Sequence, residues 1–196
     1  MDREILSRVL VTDRLLHGGE LVFVENVVTA ARRHGATAII LRDKELESDP
    51  LARLASDLVR ASPIPVILAH RSDLALAAGV AGVHLGWTSP SVAVARQQVG
   101  PGLVIGVSVH GAEEARTRCG DSPDYLIFGP VRATPSKVGL VATQGMASLA
   151  EAVACSDVPV VAIGGLTASD EAAVRAAGAA GWAAIRAFVE EEEQQQ

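Results

Sequence analysis

Short runs rich in Val and Ile alternate along the chain with alanine-rich stretches in which apolar residues recur every three or four positions. The runs suit strands buried on both faces, and the intervening stretches suit helices that cover them. The pattern therefore predicts a parallel sheet with helical crossovers. Strands are expected at 9–12, 38–41, 65–68, 82–85, 104–108, 125–128, 160–163 and 181–185. Helices are expected near 25–34, 49–61, 73–78, 90–99, 113–118, 146–154 and 170–177. Ser48, Ser89 and Thr167 stand where N-caps are needed, the last with Asp170 three residues on.

Eight strands in 196 residues favour a closed (β/α)8 barrel at the small end of that fold's range over an open doubly wound sheet. The eighth helix is expected to be truncated, because residues 190–196 are four glutamates followed by three glutamines. The organisation read from this is a barrel over 1–189 and an acidic, Gln-rich tail over 190–196. Residues 74–95 carry no charged side chain, but Gly79, Gly82, Gly86 and Pro90 divide them into helix, strand and turn, so a membrane span is not expected.

Composition narrows the function classes. With 49% hydrophobic and 20% charged residues the chain can bury a core, while a net charge of −6 and 3% aromatic residues argue against a nucleic-acid partner. Cys119 and Cys155 have neither metal-ligand nor C-x-x-C spacing and are read as buried thiols in a reducing compartment. The opening Met1-Asp2-Arg3-Glu4 does not resemble a secretory signal, and the expected location is cytoplasmic. Nothing in the composition requires or excludes a homo-oligomer.

In such a barrel the chemistry gathers at the C-terminal ends of the strands. The second strand ends in Arg42-Asp43-Lys44, two cations at alternate positions that suit an anion, or else a solvated charge cluster. The sixth leads into a loop with Thr134, Ser136 and Lys137, donors that suit a phosphate. The seventh ends in Gly164-Gly165 before a capped helix, a pattern for phosphate binding that a tight turn would also select. His17 and His34 look peripheral, whereas His70, His84 and His110 lie in or at the ends of strands.

These pieces, together with Gly82-Val83-His84-Leu85-Gly86, Ile105-Gly106-Val107-Ser108, Phe128-Gly129-Pro130 and the stretch 159–165, are similar over the whole chain to the family joining thiamine-phosphate synthase and its relative TenI, a thiazole tautomerase. The resemblance implies a barrel that handles a phosphorylated thiazole. It places Arg42, Lys44, Thr134, Ser136 and Lys137 around a departing pyrophosphate, and Gly164 and Gly165 at the thiazole phosphate; Ser108 also matches. Where synthases carry acidic magnesium ligands, this chain has His70 and Ser89. Arg71 resembles TenI, but Pro130 stands where TenI has its catalytic histidine, and Arg186 stands where synthases have a serine.

The leading expectation is therefore a TenI-like, metal-independent proton transfer on thiazole phosphate. His70 is the expected catalytic group, with His110 as its alternative, and Arg71 holds a substrate carboxylate. One alternative is a divergent synthase that condenses pyrimidine pyrophosphate with thiazole phosphate, using magnesium or recruiting Arg71 or Arg186 in its place. The other is a non-catalytic barrel that binds thiamine precursors. No cofactor is expected outside the synthase alternative.

Overall fold

The computed structural model describes residues 3–19, 22–134 and 142–189. Eight parallel strands close into a barrel in chain order. They are β1 (Arg8–Val11), β2 (Ala38–Leu41), β3 (Val66–Ala69), β4 (Gly82–Leu85), β5 (Val104–Val109), β6 (Tyr125–Phe128), β7 (Val160–Ile163) and β8 (Gly181–Ala184). Closure comes from β1 pairing with β8 in the register Val9 with Ala183 and Leu10 with Ala184. The helices are α1 (Phe23–Arg33), α2 (Ser48–Ala61), α3 (Ala75–Ala78), α4 (Val92–Val99), α5 (Ala112–Cys119), α6 (Gly145–Ala154) and α7 (Glu171–Ala176). After β8 comes a 3-10 turn at Arg186–Phe188, and the expected tail at 190–196 lies outside the described residues.

Period-two alternation divides the core into two clusters. Val9, Val11, Ile40, Ile67, Ala69, Tyr125, Ile127, Val161 and Ala183 fill the barrel interior. Leu10, Ile39, Leu41, Leu68, Val83, Ile105, Leu126, Ala162 and Trp182 join the larger cluster beneath the helices. Most strands are thus apolar on both faces and read as hydrophobic runs, with β4 and β5 interrupted by His84 and Ser108.

Two of the expected caps are employed elsewhere. Glu47 occupies the N-cap of α2, and the Ser48 hydroxyl accepts from the Arg71 guanidinium at 2.9 Å. Ser91, not Ser89, caps α4 by accepting from the Val94 amide. The Thr167 expectation is met from the other side: its amide donates to Asp170 Oδ2 at 3.0 Å. The cysteines are half-buried free thiols, and His17 is buried, not peripheral. No helix among the described residues is long and apolar enough to cross a membrane.

Candidate active site at the barrel mouth

Strand β2 presents Ile40 to the barrel interior, and the same alternation carried past the strand end places Arg42 and Lys44 on the mouth side. Asp43 between them is tied behind. Its Oδ2 accepts from Arg14 Nε at 2.6 Å, and its Oδ1 accepts from the amides of Glu45 and Leu46 at 2.9 and 3.0 Å. Burial opposes the Asp43 charge, but these amide and guanidinium donors outweigh it and hold the carboxyl below its ordinary range. Arg42 and Lys44 form no ion pair among the described residues.

His70 follows β3, where strict alternation would turn it away from the barrel. Its backbone instead takes a left-handed conformation, φ 68°, which breaks the alternation. The ring lies over Gly86, where a Cβ would fall 2.4 Å from His70 Cε1. His70 Nδ1 stands 3.1 Å from Ser89 Oγ, and that hydroxyl also accepts from the Gly86 amide at 2.9 Å. Burial, then the charges of Lys44 and Arg42, push the His70 pKa down, so the imidazole is neutral at neutral pH. The ends of β2 and β3 lie side by side, with Leu41 paired to Leu68.

Deeper in the barrel, His84 links two hydroxyls: Nδ1 lies 3.2 Å from Tyr125 Oη and Nε2 lies 2.8 Å from Ser108 Oγ. Burial, with a smaller contribution from His70, takes the His84 pKa down to about 3. Ser108 is only half-buried and lies near the C-terminal end of β5. Sequence reasoning named Ser108 but missed His84 and Tyr125. The available signal was the single tyrosine of the chain, one strand across from Gly106, which in turn pairs with His84.

The remaining candidates follow other strands. Arg71 forks onto both carboxylate oxygens of Asp73 at 2.9 and 2.6 Å, so its guanidinium is already engaged. His110 is turned to Glu114, whose Oε2 accepts its amide at 2.8 Å and lies 3.4 Å from its ring. Arg186 is half-buried after β8, and Thr134 is half-buried after β6; Ser136 and Lys137 lie outside the described residues.

Gly164 and Gly165 have φ of 106° and 61°, and the loop after β6 packs directly on them. A Cβ on Gly165 would meet the Ala133 carbonyl at 2.4 Å, and one on Gly164 would meet Pro130 Cα at 2.7 Å. The paired glycines are therefore required for loop packing, quite apart from any ligand. A separate cleft of about 710 Å3 opens at the opposite, N-terminal end between Ser7, Thr37, Asp157 and Arg175. Arg175 there is paired with Glu171, and the convergent cations and hydroxyls lie at the other end, so the site is assigned to the mouth.

The donors at the mouth do not fit magnesium, the ion that the family resemblance implies. Mg2+ seeks hard oxygen ligands, usually carboxylates. At the two corresponding positions stand an imidazole under the influence of two cations and a hydroxyl already bonded to it and to an amide. The nearby carboxylate of Asp43 is occupied by Arg14. Among the described residues no group of three or more His, Cys, Asp or Glu is placed to hold a metal ion.

Comparison with known proteins gives one consistent family. Residues 9–188 match the family described as thiamine monophosphate synthase. The thiamine-phosphate synthase of Roseiflexus castenholzii is 36% identical over 183 residues, covering 92% of this chain and 79% of the relative. That of Azorhizobium caulinodans is 40% identical over 191 residues, covering 93% and 87%. Among solved structures, thiamine phosphate pyrophosphorylase from Pyrococcus furiosus has a TM-score of 0.84 at 32% identity, covering 97% of this chain and 91% of that one.

Proposed function

The chain belongs to the thiamine monophosphate synthase family, and from that premise we propose that its mouth joins a pyrimidine pyrophosphate to a thiazole phosphate with release of pyrophosphate. The observation that carries this reading is the pair Arg42 and Lys44, presented to the mouth while Asp43 is tied back by Arg14. The names of the relatives support it, and they reverse the order of readings reached from sequence, in which tautomerase chemistry came first.

In this reaction the bond between the pyrimidine methylene carbon and the pyrophosphate oxygen breaks, and its electron pair leaves with pyrophosphate. The thiazole nitrogen lone pair forms the new C–N bond, giving a thiazolium. Negative charge grows on the departing oxygen, so cations fixed beside it lower the barrier. Arg42 and Lys44 do this work here, and Thr134, Ser136, Lys137 and Arg186 are assigned as further anion ligands. Gly164 and Gly165 are assigned to the thiazole phosphate. No step is routed through a metal ion.

A second reading is favoured by His70, a neutral imidazole at the mouth. With Nδ1–H donating to Ser89 Oγ, its Nε2 lone pair can accept a substrate proton, which is the tautomerase reaction expected from sequence. One experiment separates the readings. Purified protein is given thiazole phosphate with pyrimidine pyrophosphate, and separately a carboxythiazole phosphate tautomer, and both pyrophosphate release and tautomer conversion are followed. Pyrophosphate release that survives His70→Ala supports the synthase reading. Tautomer conversion abolished by His70→Ala, without pyrophosphate release, replaces it with the second; binding without turnover replaces both with the precursor-binding barrel.

A further inference from the structure

We infer that Tyr125 and His84 form a proton-ordered relay in which Ser108 Oγ accepts from His84, leaving the serine O–H free to donate into the mouth to a lone-pair acceptor of the substrate. The relay itself stands on the geometry; the identity of the ligand rests on the synthase-family reading.

Three residues on neighbouring strands build it. The register sets His84 of β4 against Gly106 of β5, and Gly106 against Tyr125 of β6. Gly106 leaves the space that the tyrosine ring crosses: a Cβ there would lie 2.0 Å from Tyr125 Cζ. The phenol thus reaches over one strand to the imidazole on the next, with ring centroids 5.7 Å apart.

The direction of each hydrogen bond follows from what each group has available. Tyr125 is fully buried, and burial raises its pKa, so the hydroxyl keeps its proton. Among the described residues its hydroxyl has one hydrogen-bond partner, His84 Nδ1. A buried O–H left without an acceptor is costly, so the phenol donates and Nδ1 accepts. A neutral imidazole carries one N–H, which must then sit on Nε2. Nε2–H donates to Ser108 Oγ at 2.8 Å. The serine accepts from behind, and its own proton is turned towards the half-open side, where the substrate lies. Its partner is an acceptor such as a ring nitrogen or a phosphoryl oxygen. His84 and Tyr125 are positioning residues in this scheme, and Ser108 is the group that touches substrate.

The test uses the full chain with 15N-labelled histidine. Long-range proton–nitrogen correlation at neutral pH, with His84 identified by its loss in His84→Gln, should show Nε2 protonated and Nδ1 bare. Tyr125→Phe removes only the hydroxyl and should release the preference, moving proton density to Nδ1. A wild-type His84 protonated on Nδ1, or a tautomer unchanged in Tyr125→Phe, overturns the relay. Should Tyr125→Phe fail to fold, the wild-type tautomer alone decides. For the donor role, Ser108→Ala should weaken binding of inorganic pyrophosphate or of thiazole phosphate about tenfold in calorimetry. A loss for pyrophosphate points to a phosphoryl oxygen, and a loss for thiazole phosphate alone points to an acceptor on that ligand. Unchanged affinity for both overturns the donor role. A wild type that binds neither probe overturns the reading of the mouth and the donor role with it, while the tautomer measurement still judges the relay.

Discussion

Arg14 holds Asp43 at 2.6 Å behind the end of β2, with the carboxylate side chain only 5% exposed, and this grip sits between the two cations that face the mouth. The carboxylate would otherwise be free to swing between Arg42 and Lys44 and cancel them. Asp43→Asn removes the charged acceptor that Arg14 Nε meets at 2.6 Å and weakens a turn that two backbone amides depend on. A stability loss of about 1–3 kcal/mol is expected in urea unfolding, together with weaker pyrophosphate binding. An unchanged midpoint would show that the pair does not organise this turn.

Turnover is expected to be insensitive to magnesium, because His70 and Ser89 offer no carboxylate where the ion would sit. The measurement is pyrophosphate release with chelator and with added magnesium. The double variant His70→Asp with Ser89→Asp should gain a magnesium response that wild type lacks. Chelator-sensitive release by wild type, restored by magnesium, contradicts this account.

Acid should unfold the protein earlier than its carboxylates alone would dictate. His84 falls from its ordinary 6.5 to about 3 through burial and the neighbouring His70, and His70 is lowered by burial, Lys44 and Arg42. In the unfolded chain both regain ordinary values and bind protons that the folded state refuses. Their contribution is present above about pH 6.5 and is lost as pH falls towards the folded values, with a slope of up to about 1.4 kcal/mol per pH unit for each group. Urea midpoints compared from pH 7 to pH 5 should drop, and His84→Gln should flatten the curve. A curve equally steep in that variant assigns the effect elsewhere.

Gly165→Val should damage the fold before it reaches any ligand. The added Cβ points into Ala133 and Arg132, and valine is strained at φ 61°. A loss of roughly 2 kcal/mol or more is expected in thermal or urea unfolding, accompanied by weaker thiazole-phosphate binding. Wild-type stability combined with lost binding would instead place the glycine's importance at the ligand.

How much of this could be read in the sequence depended on whether a signal was local. Strands such as 38–41 and 125–128 are continuous apolar runs with polar or glycine boundaries, and their ends emerge where the pattern places them. Arg42 and Lys44 follow from alternation extended by one step. His70 does not, because a left-handed backbone at one residue reverses where its side chain points. Ser48 and Ser89 carry the right chemistry for caps, but Arg71 and His70, distant in sequence, compete for their hydroxyls. The pairing of His84 with Tyr125 needs the strand register and a glycine between them, and neither is visible from residue types taken one at a time.

The loop after β6 is laced to the turn after β7 by the Val131 amide on the Ile163 carbonyl, the Arg132 amide on the Gly164 carbonyl and the ion pair of Arg132 with Asp170 at 2.5 Å. In kinetic terms, the segment that leads towards the leaving-group ligands and the segment assigned to the second substrate form one mechanical unit. With the subsites filled as proposed, ordering one segment lowers the cost of ordering the other, so each substrate should sharpen affinity for the other by the same factor whichever binds first.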